Sequence, residues 1–236
     1  MRVLVVTAVP VERDAVTRAY GDASALSVRT VPGAEIHRAG PLDVLAGGAG
    51  PAAAAASAAY ALAAERYDLV VSAGIGGGFV PSAPLGSLVV ASAIVAADLG
   101  ADTPDGFLPV TALGFGRDRF APPPALVREA ATATGARTGD VLTVSTVTGS
   151  AERAAALLAA HPGALAEAME GFGVAEAAGL RGVPVLEIRA VSNAVGPRDR
   201  AAWRIGDALS ALTEAFGKLI PVLEGWTRHD RDDTGS

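Results

Sequence analysis

Short apolar runs alternate along the chain with longer stretches whose apolar residues recur at helical spacing, a rhythm that predicts alternating strands and helices. Strands are expected over residues 3–9, 42–47, 68–73, 87–96, 140–146, 164–169 and 185–192, and helices over 12–20, 52–66, 125–134, 151–160, 172–180 and 200–223. The run 185–191 is too continuous for a half-exposed strand and is expected to be buried. Such alternation predicts three layers, a sheet with helices on both faces. Residues 100–124 are rich in Gly, Pro and Asp with weak periodicity, and are expected to form a long loop or excursion beside the active face. No internal repeat or linker interrupts the pattern. A single domain over residues 1–226 is expected, followed by a frayed polar tail at 227–236.

Residues 69–97 carry no charge, and length alone would suit a membrane span. The glycines of GIGGG, then Pro81, Pro84 and Gly86, break the segment too often for a helix facing lipid, so two buried strands joined by a glycine-rich turn are expected. The N-terminus resembles a first strand and lacks the small-residue cleavage site of a signal peptide. A soluble cytoplasmic protein with no membrane partner is the expectation. Half of the 236 residues are apolar, enough for a substantial core. The net charge of −6 argues against nucleic acid as a partner. Cysteine is absent, which removes disulfides, thiolate catalysis and sulfur-bound metals. With only three scattered histidines, no metal is expected.

The stretch 168–203 concentrates the polar chemistry. Glu170 falls where a strand ends and a helix opens, and Asn193 falls at the end of the next strand. In open α/β sheets, ligands bind where strands run out. A carboxylate and a carboxamide meeting there, beside Met169, suit a ligand carrying both hydroxyls and a heterocycle. The segment SAGIGGG, Ser72 to Gly78, follows a strand, and its glycines would admit a ligand close to the backbone. It is no dinucleotide fingerprint, because the third glycine would fall on Phe79, and no Walker lysine follows. Glu12 follows the first strand, where the dipole of a helix favours an acid in its first turn.

Taken in order, Glu12, SAGIGGG, AMEG and RAVSN closely resemble the purine nucleoside phosphorylase and nucleosidase superfamily, above all its methylthioadenosine/S-adenosylhomocysteine nucleosidase branch. The resemblance spans nearly the whole chain. It implies a nucleoside phosphorylase-like three-layer α/β/α sandwich with a central mixed β-sheet, a small-molecule nucleoside substrate, no cofactor, and a homo-oligomer, often a dimer. By the same resemblance, Met169 and Glu170 hold the ribose, Glu12 activates water, and Arg189 helps hold that water. Asn193 takes the position that contacts the purine, and Trp203 stands where relatives place an aromatic near the ligand. Gly76 and Gly77 line the cavity with backbone.

The chain departs from its relatives at three places. Thr146 and Val147 replace an aromatic–aliphatic pair beside the base, so Val147 remains a wall while Trp203 or Phe172 would supply stacking. Ile75 replaces a serine near the attacking water, which leaves water positioning to Glu12 and Arg189. Asn193 replaces an acid. Adenine offers a 6-amino donor beside the N7 acceptor, whereas a 6-oxopurine offers acceptors at both O6 and N7, which an amide NH₂ satisfies and a carboxylate cannot. Hypoxanthine or guanine is therefore the expected leaving base. Where the nucleoside carries a carboxylate on its 5′-substituent, Arg198 is the candidate cation. A phosphorolytic enzyme, a nucleoside-binding protein without turnover and an adenosine-type nucleosidase are the alternatives. The first would need arginines around an anion site that SAGIGGG lacks, the second would not need Glu12, and the third conflicts with Asn193.

Overall fold

The computed structural model describes residues 1–21, 26–31 and 33–226; the expected polar tail lies outside them. The first strand, β1 (Val3–Thr7), is buried throughout and sorts its side chains by parity. Leu4 and Val6 enter the core beneath α2 (Pro51–Ala64) and α5 (Gly171–Leu180). Val3 and Val5 enter the opposite core, beneath α1 (Pro10–Arg18), α3 (Pro124–Thr134) and α6 (Ile205–Gly225). A strand with apolar residues on both faces needs cover on both, which is why the fold has three layers. Each fully buried Val or Leu contributes about 1.5–3 kcal/mol.

The remaining strands are β2 (Ser27–Val31), β3 (Ala34–Ala39), β4 (Leu42–Ala46), β5 (Leu69–Gly78), β6 (Leu88–Ala96), β7 (Gly100–Thr103), β8 (Gly106–Pro109), β9 (Arg119–Phe120), β10 (Arg137–Thr143), β11 (Ala164–Ala168) and β12 (Val185–Ala194). The main sheet runs β11-β10-β6-β12-β5-β1-β4-β3-β2, and β9 adds to β6. It is mixed: β5 lies parallel to β1 and β12, whereas β12 is antiparallel to β6 and β2–β3–β4 forms an antiparallel meander. β11 also returns to pair antiparallel with the end of β5, so half of the sheet curls closed. The last helix on the rim, α4 (Ala151–Ala160), is capped by the Ser150 hydroxyl, which accepts from Arg153 N.

The expected strands and helices are all present among the described residues, with ends shifted by a few positions. Three local expectations need correction. SAGIGGG is no turn after a strand but the greater part of β5, residues 72–78, with its glycines in register against β12. The turn falls later, between Gly78 and Leu88. Residues 100–124 hold a β7–β8 hairpin and the short β9, and none of them lines the main cavity. The outer strands β2 and β3, of which β2 forms the edge, were not anticipated, because only Val31, Ile36 and Ala39 in them are buried and no continuous apolar run marks them.

Candidate active site

The sheet divides at β5, and the division builds the site. Residues 69–72 of β5 pair with β1, and Gly77 and Gly78 pair with β11, so between them one edge of the strand has no strand partner. The Ile75 N–H on that stretch donates instead to Oε1 of Glu12, at 2.8 Å. Glu12 sits in the first turn of α1, where Pro10 opens the helix, and its Oε2 accepts from the Ala8 and Val9 N–H groups at 2.9 and 3.2 Å. It therefore caps its own helix and the open edge of β5 together. Burial pushes its carboxyl above the ordinary carboxylate range and Glu170 adds to that, while the Ile75 N–H and Arg189 act the other way.

Glu170 ends the β11–α5 connection and is the N-cap of α5, in line with its expected place where a strand ends and a helix opens. Its Oε1 accepts from Gly50 N at 3.2 Å and its Oε2 from Arg189 Nη1 at 3.2 Å. Arg189 is buried and each of its guanidinium nitrogens donates to a protein group: Nε to Glu187 at 2.9 Å, Nη1 to Glu170, and Nη2 to the Ser72 hydroxyl at 3.0 Å. The glycines of β5 make room for it. A Cβ on Gly74 would stand 2.7 Å from Glu12 Oε1 and 2.8 Å from Arg189 Nη1.

A cavity of about 450 Å³ opens above this cluster. Glu12, Gly76, Gly77, Val147, Met169, Glu170, Asn193, Arg198 and Trp203 all line it, so nine positions named from sequence converge on one space. Asn193 reaches it through a register shift between Val191 and Asn193 in β12, a bulge that turns the side chain to the face it shares with Gly77. The Ser192 hydroxyl donates to its Oδ1 at 2.9 Å, and one Nδ2 hydrogen is taken by the Ala194 carbonyl at 3.0 Å. The other hydrogen is left for a ligand. Arg198 lies over the Trp203 ring, 5.2 Å from its centroid, so the two form one wall.

Two expected site residues are placed elsewhere. Phe172 is buried, packs edge-to-face on Phe120 at 5.5 Å and does not reach the cavity, because the first turn of α5 directs it into the core. It cannot stack on a base; Trp203 is the aromatic side chain in the lining. Arg189 stands behind Glu12 and Glu170, outside the lining, with its guanidinium nitrogens donating to Glu187, Glu170 and Ser72, so it does not face the space where the attacking water was expected.

Sequence reasoning also passed over two acids. Glu187 is wholly buried beneath Gly171, where a Cβ would meet its carboxylate oxygens at 2.3 Å, and burial raises its pKa. An opposite-charge pair at i and i+2 of a strand expected to be buried, Glu187 and Arg189, was the available signal. Glu167 lines the cavity from β11, accepts from the N–H and hydroxyl of Thr148, and is likewise raised by burial. No group of histidines and acids among the described residues is arranged to hold a metal, and no described helix is long and apolar enough to cross a membrane.

The sequence pattern of the phosphorylase superfamily matches residues 2–221; the chain belongs to that superfamily. Within it, the chain falls in the futalosine hydrolase family. Futalosine hydrolase of Streptomyces coelicolor is 67% identical over 98% of this chain and 100% of its own length, and that of Thermus thermophilus is 40% identical over 75% and 79%. Among solved structures, a 5′-methylthioadenosine/S-adenosylhomocysteine nucleosidase from Neisseria meningitidis, in complex with methylthio-immucillin-A, superimposes with a TM-score of 0.80 at 18% identity, covering 93% of this chain and 98% of its own. A futalosine hydrolase mutant from Helicobacter pylori superimposes equally well, with a TM-score of 0.80 at 18% identity over 94% and 99%. At that identity the likeness speaks for the fold.

Proposed function

We propose that the protein hydrolyses the N-glycosidic bond of futalosine, releasing hypoxanthine and dehypoxanthine futalosine. The observation that carries the reading is the convergence of Glu12, Glu170 and Asn193 on one cavity. The C1′–N9 bond breaks through an oxocarbenium-like ribosyl cation, as in other glycoside hydrolyses. Glu170 accepts from the ribose 2′- and 3′-hydroxyls, and its charge favours the developing cation. Met169 packs against the sugar. Asn193 donates its free amide hydrogen to the departing 6-oxopurine, which takes its N7 proton from solvent. Glu12 takes a proton from water as the water oxygen bonds to C1′, a general-base step worth about 10²- to 10⁴-fold. Its raised pKa brings the base nearer to neutral pH, where such transfer is most effective.

Water is favoured over phosphate as the nucleophile. Among the described residues three carboxylates line the cavity, Glu12, Glu167 and Glu170, while Arg198 is the one cationic side chain in the lining. An anionic nucleophile would meet a negative field there. Arg198, exposed on the loop after β12, receives the substrate's aromatic carboxylate, with Trp203 beside it.

We further propose that the enzyme works in the cytoplasm, in menaquinone biosynthesis, as a homo-oligomer. The outward face of α2 supports the last point: Ala52, Ala53, Ala56, Ala59 and Tyr60 are exposed there without a charge among them. The test is chromatographic detection of free base from futalosine, inosine and methylthioadenosine, each with and without phosphate. Hypoxanthine from futalosine, independent of phosphate, is the expected result. Adenine from methylthioadenosine, or release that requires phosphate, would overturn it.

A further inference from the structure

Glu167 has no part in the mechanism above, yet it is a buried carboxylate facing the same cavity. We propose that it accepts a hydrogen bond from N1–H of the 6-oxopurine and so, together with Asn193, sets the choice between 6-oxo and 6-amino bases. The proposal rests on the nucleosidase reading.

The geometry comes from Gly77. That residue is in register with Asn193 on β12 and with Glu167 on β11. Residues paired across neighbouring strands point to the same face, so both side chains rise on either side of a position that has none. Two strand spacings separate their backbones, roughly 9–10 Å, which spans a bicyclic base edge on. A Cβ at Gly77 would close the gap, standing 3.2 Å from Asn193 Nδ2 and 2.9 Å from Val195 Cγ2. β5 thus supplies a bare floor between an amide donor and a carboxylate.

The hydrogen-bond inventory then assigns the two sides. Hypoxanthine presents acceptors at N7 and O6 and, next to O6, a donor at N1–H. Asn193 serves the acceptors with its free amide hydrogen. Thr148 approaches Glu167 with its N–H and its hydroxyl, so both of its contacts are donors to the carboxylate. They hold the group in place while leaving it spare acceptor sites, since an ionised carboxylate takes about four hydrogen bonds. Adenine would turn an N1 lone pair toward that carboxylate, an acceptor against an acceptor.

The experiment measures kcat/KM for futalosine and for its 6-amino analogue in the unaltered enzyme and in Glu167→Gln. Glutamine keeps the length and can still bond to Thr148, but it can present a donor amide to the base. The ratio of 6-oxo to 6-amino turnover is expected to fall by about 10- to 100-fold, the range for a hydrogen bond to a charged group. A purely structural Glu167, one that only anchors the loop carrying Thr148, would lower both substrates in proportion and leave the ratio unchanged; that outcome overturns the assignment. Thr148→Val supplies the comparison, since it weakens the anchor without touching the acceptor and is expected to lower both substrates together. Should Glu167→Gln fail to fold, titration of the unaltered protein with hypoxanthine and N1-methylhypoxanthine takes its place. Binding at least tenfold tighter for hypoxanthine is expected, on the order of one charged hydrogen bond. Equal affinities would overturn the proposal. If the unaltered enzyme leaves futalosine intact, the hydrolase reading falls and this assignment with it. If it cleaves futalosine and the ratio stays fixed, Glu167 alone is misassigned.

Discussion

Arg189 Nη1 meets Glu170 Oε2 at 3.2 Å with less than a tenth of either side chain exposed, so a carboxylate that lines the cavity is itself held by a cation outside the lining. Glu187 and Glu12 draw on the same guanidinium. Arg189→Met would leave these carboxylates buried without a counter-charge, a loss of about 3–5 kcal/mol for breaking such a pair. Thermal denaturation should show a large drop in Tm. Arg189→Lys should recover little of it, since a single ammonium cannot serve Glu187, Glu170 and Ser72 in the planes the guanidinium occupies.

Glu12→Gln should lower kcat by about 10²- to 10⁴-fold while leaving KM for futalosine nearly unchanged, because the base acts on water and not on the substrate. As the proposed base, Glu12 has to act ionised, and its pKa is raised. Activity should therefore fall with acid at a pH above the ordinary carboxylate range, a limb visible in the pH profile of kcat/KM. A limb at or below the ordinary value would exclude Glu12 as the base.

The buried acid Glu187 makes a stability prediction of definite sign. Its pKa is higher in the folded chain than in the unfolded chain, so between those two values the native state binds more protons. Its contribution is present below the unfolded pKa, about 4.3, and is lost as pH rises through the raised value. Glu187→Gln, which cannot ionise, should reduce the fall in Tm as pH rises through that window. Parallel Tm profiles for the variant and the unaltered protein would contradict this.

Gly74→Ala tests how closely Glu12 and Arg189 approach the sheet. The new methyl would overlap Glu12 Oε1 and Arg189 Nη1, both on side chains locked by several hydrogen bonds. Overpacking of this kind costs about 1–3 kcal/mol. The larger effect should fall on kcat, since Glu12 must move; unchanged turnover would mean that the cluster can shift freely.

Arg198→Ala should raise KM for futalosine and leave kinetics on a nucleoside without the 5′-carboxylate nearly unaffected. Arg198 is exposed and rests on Trp203, so its loss should hardly alter Tm. Equal KM values for futalosine before and after substitution would remove it from the site.

The parts of this site readable from sequence were those tied to strand ends. Glu170 and Asn193 could be placed because a strand-to-helix junction and a strand terminus leave few options for where a side chain points. Phe172 and Arg189 could not, since their direction depends on how α5 and β12 pack, and a residue adjacent to the site in sequence can face the core behind it. Glu167 and Glu187 were hidden inside runs taken as apolar, where a charge becomes meaningful only once its partner across space is known. The bulge that aims Asn193 has no sequence mark of its own, and the return of β11 to β5 is a long-range pairing that no local pattern encodes.

The open edge of β5 turns the protein into its own indicator of ionisation. The Ile75 amide is protected from exchange by a carboxylate where its neighbours in the strand depend on backbone ladders, so its deuterium uptake should follow the charge on Glu12. A proton arriving on Glu12 weakens that acceptor and should hasten exchange at Ile75, while amides of β5 nearer Leu69, laddered to β1, keep their pace.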